Sequence, residues 1–166
     1  MAIISFVADT LTRLQYTWIL RGFGLAKIPM LAFLWPKIES IEGSKVTVRI
    51  PLTKRSKNHV GSMYFGALAC GADLSVGALA LFHMRSLKIS LHFVFKDFTA
   101  EFLKRATEDV LFICNEGDAI RDLVLQANNS GERVHATFNA FAALASSPHT
   151  PIAQFKLTLS LKNPNP

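Results

Sequence analysis

In the stretch KNHVGSMYFGALACGADLSVGALALFHMR, residues 57 to 85, Asp73 is the one formally charged side chain between Lys57 and Arg85. Burying a carboxylate without a partner costs several kcal/mol or drives its pKa upward, so Asp73 is either paired by a residue distant in sequence or used in chemistry. Upstream stand Asn58 and, six positions after it, the run Tyr64, Phe65, Gly66; Asp73 follows seven positions after the glycine. A helix starting near Gly66 presents unpaired amides and the positive end of its dipole where an oxyanion would develop, and a glycine there lets a substrate approach. A carboxylate about two turns further along, its pKa raised by apolar neighbours, suits acid-base work. The same Asp73 can equally cap a loop or pair with a lysine across a subunit interface.

The elements that must position these residues follow from periodicity. From Ser62 to about Phe82 there is no proline and almost no charge, which predicts a helix without a solvated side, its small residues letting strands approach closely. Before it, Val46, Val48 and Ile50 alternate with Lys45, Thr47 and Arg49 in a strand closed by Pro51. After it, Leu87, Ile89, Leu91 and Phe93 alternate with polar neighbours. DVLFICN, RVHATFNAFAALA and AQFKLTLSLK read as further strands, EGDAIRDLVLQANNSGE as a short helix and SSPHTP as the turn between the last two strands. At the N-terminus, Ile3, Ile4, Val7, Leu11, Leu14 and Trp18 recur at helical spacing, predicting an amphipathic helix over residues 3 to about 20 that ends near RGFG, with a second short helix over LAKIPMLAFL. The final NPNP is expected to fray. Residues 1–166 thus form one α+β domain, with a helical cover over 1–36 and a core over 37–162. An apolar helix followed by strands with one apolar face predicts a sheet curled around that helix, the hotdog arrangement.

Composition narrows the setting. A chain of 166 residues supports one domain with a substantial core. Half of its residues are hydrophobic, so membrane insertion has to be weighed first. Arg13, Arg21 and Lys27 interrupt the apolar N-terminus, and residues 58–84 hold Asp73 and several glycines, so neither reads as a spanning helix. No signal peptide pattern opens the chain, and a cytoplasmic location is expected. The apolar excess points to surfaces covered by another subunit or wrapped around a greasy ligand. Cys70 and Cys114 sit apart in apolar surroundings, as buried thiols do, and give no metal spacing. The net charge of +6 includes one cluster, KRSK at 54–57, which fits a basic rim for a phosphorylated small molecule; no nucleic-acid motif accompanies it.

The pattern of Asn58, Tyr64-Phe65-Gly66 and Asp73 resembles the active-site signature of hotdog-fold acyl-CoA thioesterases of the phenylacetic-acid-pathway type, which carry an Asn, a His-Gly-Gly at the helix start and an Asp at these offsets. The resemblance covers about residues 37–162. A narrower likeness is to a bacterial thioesterase-like group in which an NHVGSM loop precedes a Gly-Ala-rich helix. The resemblance implies that Asp73 is the catalytic carboxylate, as general base or nucleophile, that Asn58 orients the thioester or water, and that the amide at Gly66 polarises the carbonyl. It further implies a homodimer, or a dimer of dimers, in which Asp73 of one protomer serves Gly66 and Asn58 of its partner. Tyr64 and Phe65 replace the family's His and first Gly, and Gly77 stands where some relatives carry a hydroxyl, with Ser75 the nearest one.

The expected activity is hydrolysis of an acyl thioester, a medium- or long-chain acyl-CoA, without a cofactor or metal. Tyr64, Phe65 and His59 would meet the acyl group, and Lys54, Arg55 and Lys57, or Arg85 and Lys88, the CoA phosphates. The alternatives are a non-catalytic fatty-acyl or lipid-binding hotdog protein, and a dehydratase, which would want a His base with only His59 near. His59 is expected to hydrogen-bond within its turn and His83 to cap the end of its helix; His92 and His135 fall on strands. Phe65, Phe82, Phe93, Phe95, Phe98, Phe138 and Phe141 read as mostly core, some lining an acyl tunnel. No GxSxG nucleophile elbow occurs.

Overall fold

Val46, Val48 and Ile50 all point into the core, so the alternation read from the sequence does define a strand. The computed structural model describes residues 2–164, with the backbone alone for residues 2–9. The side chains of Ile3, Ile4 and Val7, and Asn165 and Pro166 of the tail, lie outside the described residues. In chain order the elements are α1 (Ala2–Lys27), α2 (Pro29–Phe33), β1 (Lys37–Ile41), β2 (Val46–Ile50), α3 (Phe65–Leu87), β3 (His92–Phe102), β4 (Val110–Cys114), α4 (Gly117–Ser130), β5 (Val134–Leu144) and β6 (Ser147–Lys162).

The strands form one sheet in the order β1-β2-β4-β5-β6-β3, every pairing antiparallel. The sheet curls around α3, so the hotdog architecture expected from the sequence is the one observed. Ala72, Val76, Leu79 and Ala80 of α3 are fully buried against Val48 and Ile50 of β2, Phe112 of β4 and Leu159 of β6. The contact with β4 is so close that a Cβ on Gly71 would stand 2.3 Å from the Phe112 ring. At 23 residues α3 is long and apolar enough to cross a membrane, contrary to the sequence reading, but its place is the core of this sheet.

Several boundaries shift for identifiable reasons. The strand read at Val46–Ile50 is the second arm of a hairpin, β1 and β2, turned by Glu42 and Lys45, whose backbone groups bond each other. Leu87 belongs to α3, which ends with Lys88 in the left-handed region at φ 57°; β3 therefore begins only at His92. The turn expected at SSPHTP shortens to Ala145–Ser146, and β6 begins at Ser147. Helix α1 does not stop at RGFG but runs to Lys27. There a Cβ on Gly24 would meet the Ala32 backbone nitrogen at 2.9 Å, so the glycine serves the approach of α2 and not a helix end.

The Gly71 contact generates a test. Replacing glycine by alanine in an open helical position gains up to about 1 kcal/mol, whereas overpacking a closed core costs about 1–3 kcal/mol. Gly71→Ala should lower the thermal midpoint, while Gly22→Ala, with nothing within 4 Å of the added Cβ, should hold or raise it. Differential scanning calorimetry of both variants checks this; a Gly71→Ala protein as stable as the parent would mean that α3 is not pressed onto Phe112.

Candidate active site

Helix α3 is not enclosed on every side. Gly66, Ala69, Cys70, Asp73, Gly77 and Leu81 form one stripe that is only half-buried, in contrast to the expectation of a helix buried all round. Asp73 is the charged member of that stripe. No hydrogen bond or ion pair reaches its carboxylate among the described residues, so neither loop capping nor a lysine within the chain accounts for it. A Cβ at Gly77 would lie 3.7 Å from Asp73 Oδ1 and 3.8 Å from the Phe93 ring, which places the carboxylate over bare helix beside an aromatic wall. Removal from water pushes its pKa from the ordinary 3.8 up to about 6. The Cys70 thiol, one turn back, is likewise pushed up by burial and then by the Asp73 charge.

The N-terminus of α3 is the second feature. Tyr64 is the N-cap with extended backbone and no side-chain cap; its carbonyl accepts from the amides of Ala67 and Leu68. The amides of Phe65 and Gly66 have no acceptor among the described residues. Access to them is narrower than the glycine suggests: a Cβ on Gly66 would lie 2.6 Å from the Tyr64 ring. That exposed ring, 4.8 Å from the Phe65 ring, occupies the space expected to stay open for substrate.

The loop before α3 is built by Asn58. Its Oδ1 accepts from the amides of Val60 and Ser62, each at 3.1 Å, and its Nδ2 donates to Ser62 Oγ at 3.2 Å. One N–H of the side-chain amide remains for another acceptor. His59 is exposed and makes no hydrogen bond in this turn among the described residues, which corrects the expectation that it would. Arg105 also holds the loop, donating to the Val60 carbonyl at 2.7 Å.

Asn58, His59, Tyr64 and Phe65 line one cleft of about 470 Å³ together with Phe102, Lys104 and Arg105. Lys104 and Arg105 did not stand out in the sequence; the signal, a dibasic pair just after β3, gains meaning only because the chain returns there beside the α3 start. Lys54 and Arg55 do not join this cleft but a different one beside Trp35, and Lys57 sits between, its backbone bridged to Met63. Asp73 does not reach the cleft in its own chain: seven residues along α3 put it about 10 Å from Gly66 along the axis. His83 is no helix cap. It is buried, four residues before the end of α3, with Nε2 2.9 Å from the Gly43 carbonyl, and that burial lowers its pKa. Of the seven phenylalanines read as core or tunnel, Phe138 is buried, Phe65 and Phe98 are exposed, and Phe82, Phe93, Phe95 and Phe141 are half-buried.

The Asp73 carboxyl has a consequence for stability. A group whose pKa is higher in the folded than in the unfolded chain binds more protons when folded, so its contribution is complete below pH 4 and is lost as pH rises through 6. Asp73→Asn, which stays neutral, should therefore stabilise the protein at pH 8 by about 3 kcal/mol, roughly 6–12 °C in thermal midpoint, and have almost no effect at pH 4. Equal midpoints for parent and variant at pH 8 would show that Asp73 is solvated or paired.

This architecture recurs among solved structures. A Chlorobaculum tepidum protein of unknown function superposes with a TM-score of 0.78 at 16% identity, covering 91% of this chain and 96% of its own. A Pseudomonas aeruginosa protein described as "Probable Thioesterase" gives 0.70 at 25% identity, covering 88% and 95%. Zebra fish thioesterase superfamily member 2 gives 0.63 at 16% identity, covering 87% and 94%. No curated protein matches the chain. Residues 16–139 match the model of the family described as a domain of unknown function, DUF4442, and the chain belongs to that family.

Proposed function

We propose that the protein hydrolyses an acyl thioester, an acyl-CoA of medium or long chain, with Asp73 as the catalytic carboxylate. The observation that carries this reading is Asp73 itself, a half-buried carboxylate without a partner, held near pKa 6 on the open stripe of the core helix. The likeness to the Pseudomonas protein supports thioester chemistry, and the spacing of Asn58, Gly66 and Asp73 supports the phenylacetic-acid-pathway type of site.

In this reading the ionised Asp73 takes a proton from water as the water oxygen bonds to the thioester carbonyl carbon. The carbonyl oxygen becomes an oxyanion held by the amides of Phe65 and Gly66. Collapse breaks the carbon–sulfur bond, and the thiolate recovers the proton from Asp73, giving a carboxylic acid and a free thiol. Because Asp73 stands about 10 Å along the axis from its own Gly66, the proposed site joins Asp73 of one protomer to the helix start of its partner. Two faces support the dimer. The half-open stripe of small residues on α3 lets another backbone approach, and β3 lies at the sheet edge with Val94, Phe98 and Phe102 exposed. We place this homodimer in the cytoplasm. Lys104 in the cleft and Lys57, next to the cleft residue Asn58, would meet the CoA phosphates.

The Tyr64 ring over Gly66 favours a second reading, a fatty-acyl binding protein in which turnover has been lost. Two predictions separate them. Across a panel of acyl-CoAs with free-thiol detection, kcat/KM should rise with pH through about 6 to a plateau, and Asp73→Asn should lose at least about a hundredfold while the fold is kept. Parent protein that binds acyl-CoA without turnover, or Asp73→Asn that turns over like the parent, would give the case to binding. Lys57→Ser/Lys104→Ser should raise KM several-fold with kcat nearly unchanged; a loss confined to kcat would remove these lysines from CoA recognition.

A further inference from the structure

Helix α1 turns its apolar stripe outward. Leu11, Leu14, Trp18 and Leu25 share one helical stripe and are all exposed, Trp18 at 64%. The flank beside that stripe is fastened to the body of the protein: Thr17 Oγ1 accepts from the Ile38 amide at 3.0 Å and Arg21 Nε donates to the Pro36 carbonyl at 2.9 Å. On the opposite face Tyr16 packs on Phe82 and Phe23 on Phe93, with ring centroids 5.3 and 6.4 Å apart. The stripe therefore stays outside once the chain has folded.

The apolar surface continues beyond α1. Met30, Phe33 and Trp35 are exposed on and just after α2. The Arg21 guanidinium joins the two parts, 5.6 Å from the Trp18 ring centroid and 4.2 Å from that of Trp35, and Arg55 lies 5.4 Å over Phe33. Residues 10–38 contain Arg13, Arg21, Lys27 and Lys37 and no acidic residue. Arg13 and Lys37 share Glu39, while Arg21 and Lys27 face no carboxylate among the described residues. Leu and Trp in the middle with cations interleaved is the pattern of a helix lying in a lipid interface. A second copy would bring an equally cationic face against this one, whereas anionic headgroups complement it.

We propose that the outer face of α1, with α2 and Trp35, docks on an anionic lipid surface, its Leu and Trp side chains in the headgroup–acyl boundary and Arg21 and Lys27 among the headgroups. This is attachment in the interface plane, with α3 remaining in the core, and it is independent of thioester hydrolysis.

Trp18 and Trp35 are the only tryptophans in the chain and both lie on this face, so intrinsic emission reports its environment directly. Vesicles of equimolar phosphatidylcholine and phosphatidylglycerol should shift the emission to the blue and co-sediment the protein, with binding falling as salt is raised; phosphatidylcholine alone should bind at least about tenfold more weakly. Leu14→Ser/Leu25→Ser changes only exposed side chains and should lower partition into the anionic vesicles by about tenfold or more with the melting temperature held. Absence of both the shift and co-sedimentation overturns the proposal, as does equal binding to the two vesicle types. So does a double variant that splits a parent oligomer in size-exclusion chromatography while neither protein binds vesicles, which would assign the face to a second copy.

Discussion

A curled antiparallel sheet can hold one helix at its centre only if that helix presents apolar or very small residues to every strand, and α3 obeys this from Ala67 to Leu81, with Asp73 on the stripe the sheet leaves half-open. The rest of the molecule is arranged around that demand. Glycine at 71 admits the Phe112 ring, and the fully buried Ala72, Val76 and Ala80 admit β2 and β6. Where the sheet leaves a stripe of α3 half-open, the carboxylate sits in a medium that favours its protonated form. A position that lowers stability near neutral pH, and that a neutral isostere would relieve, is where the proposed function and stability oppose each other.

Asp73 and the candidate site around it stand out in the sequence because a charge is conspicuous where all else is uncharged, and because the loop and helix start that accompany it are contiguous. The hotdog architecture was legible from the single apolar helix followed by alternating strands. Boundaries were less so: Gly24 looks like a helix stop until Ala32 is seen pressing on it, and Leu87 continues the strand-like alternation although Lys88 reverses the chain after it. Periodicity marked the stripe on α1 but not which way it faces. The residues that bury α1 are Thr17, Leu20 and Gly24, less apolar as a set than the stripe that remains outside.

Two features of the site depend on contacts that no spacing encodes. The Tyr64 ring over Gly66 is a side-chain orientation, and it turns a helix start that reads as open into a covered one. Lys104 and Arg105 reach the Asn58 loop only because β3 ends beside it, about forty residues later in the chain. Asn58, by contrast, proved to be the residue that shapes the loop, a use of an asparagine side chain that its position within a turn makes natural.

The central claim is that Asp73 works with the helix start of another protomer, and mixing complementary variants tests it most directly. Asp73→Ala removes the carboxylate, and Gly66→Val places a branched side chain before the unpaired amides. After subunit exchange each mixed dimer holds one site with both features intact and one with neither. About half the dimers should be mixed, so hydrolysis should return to about a quarter of the parent rate. No recovery, with exchange demonstrated by differently labelled protomers, would place Asp73 and Gly66 in a single chain and contradict the account.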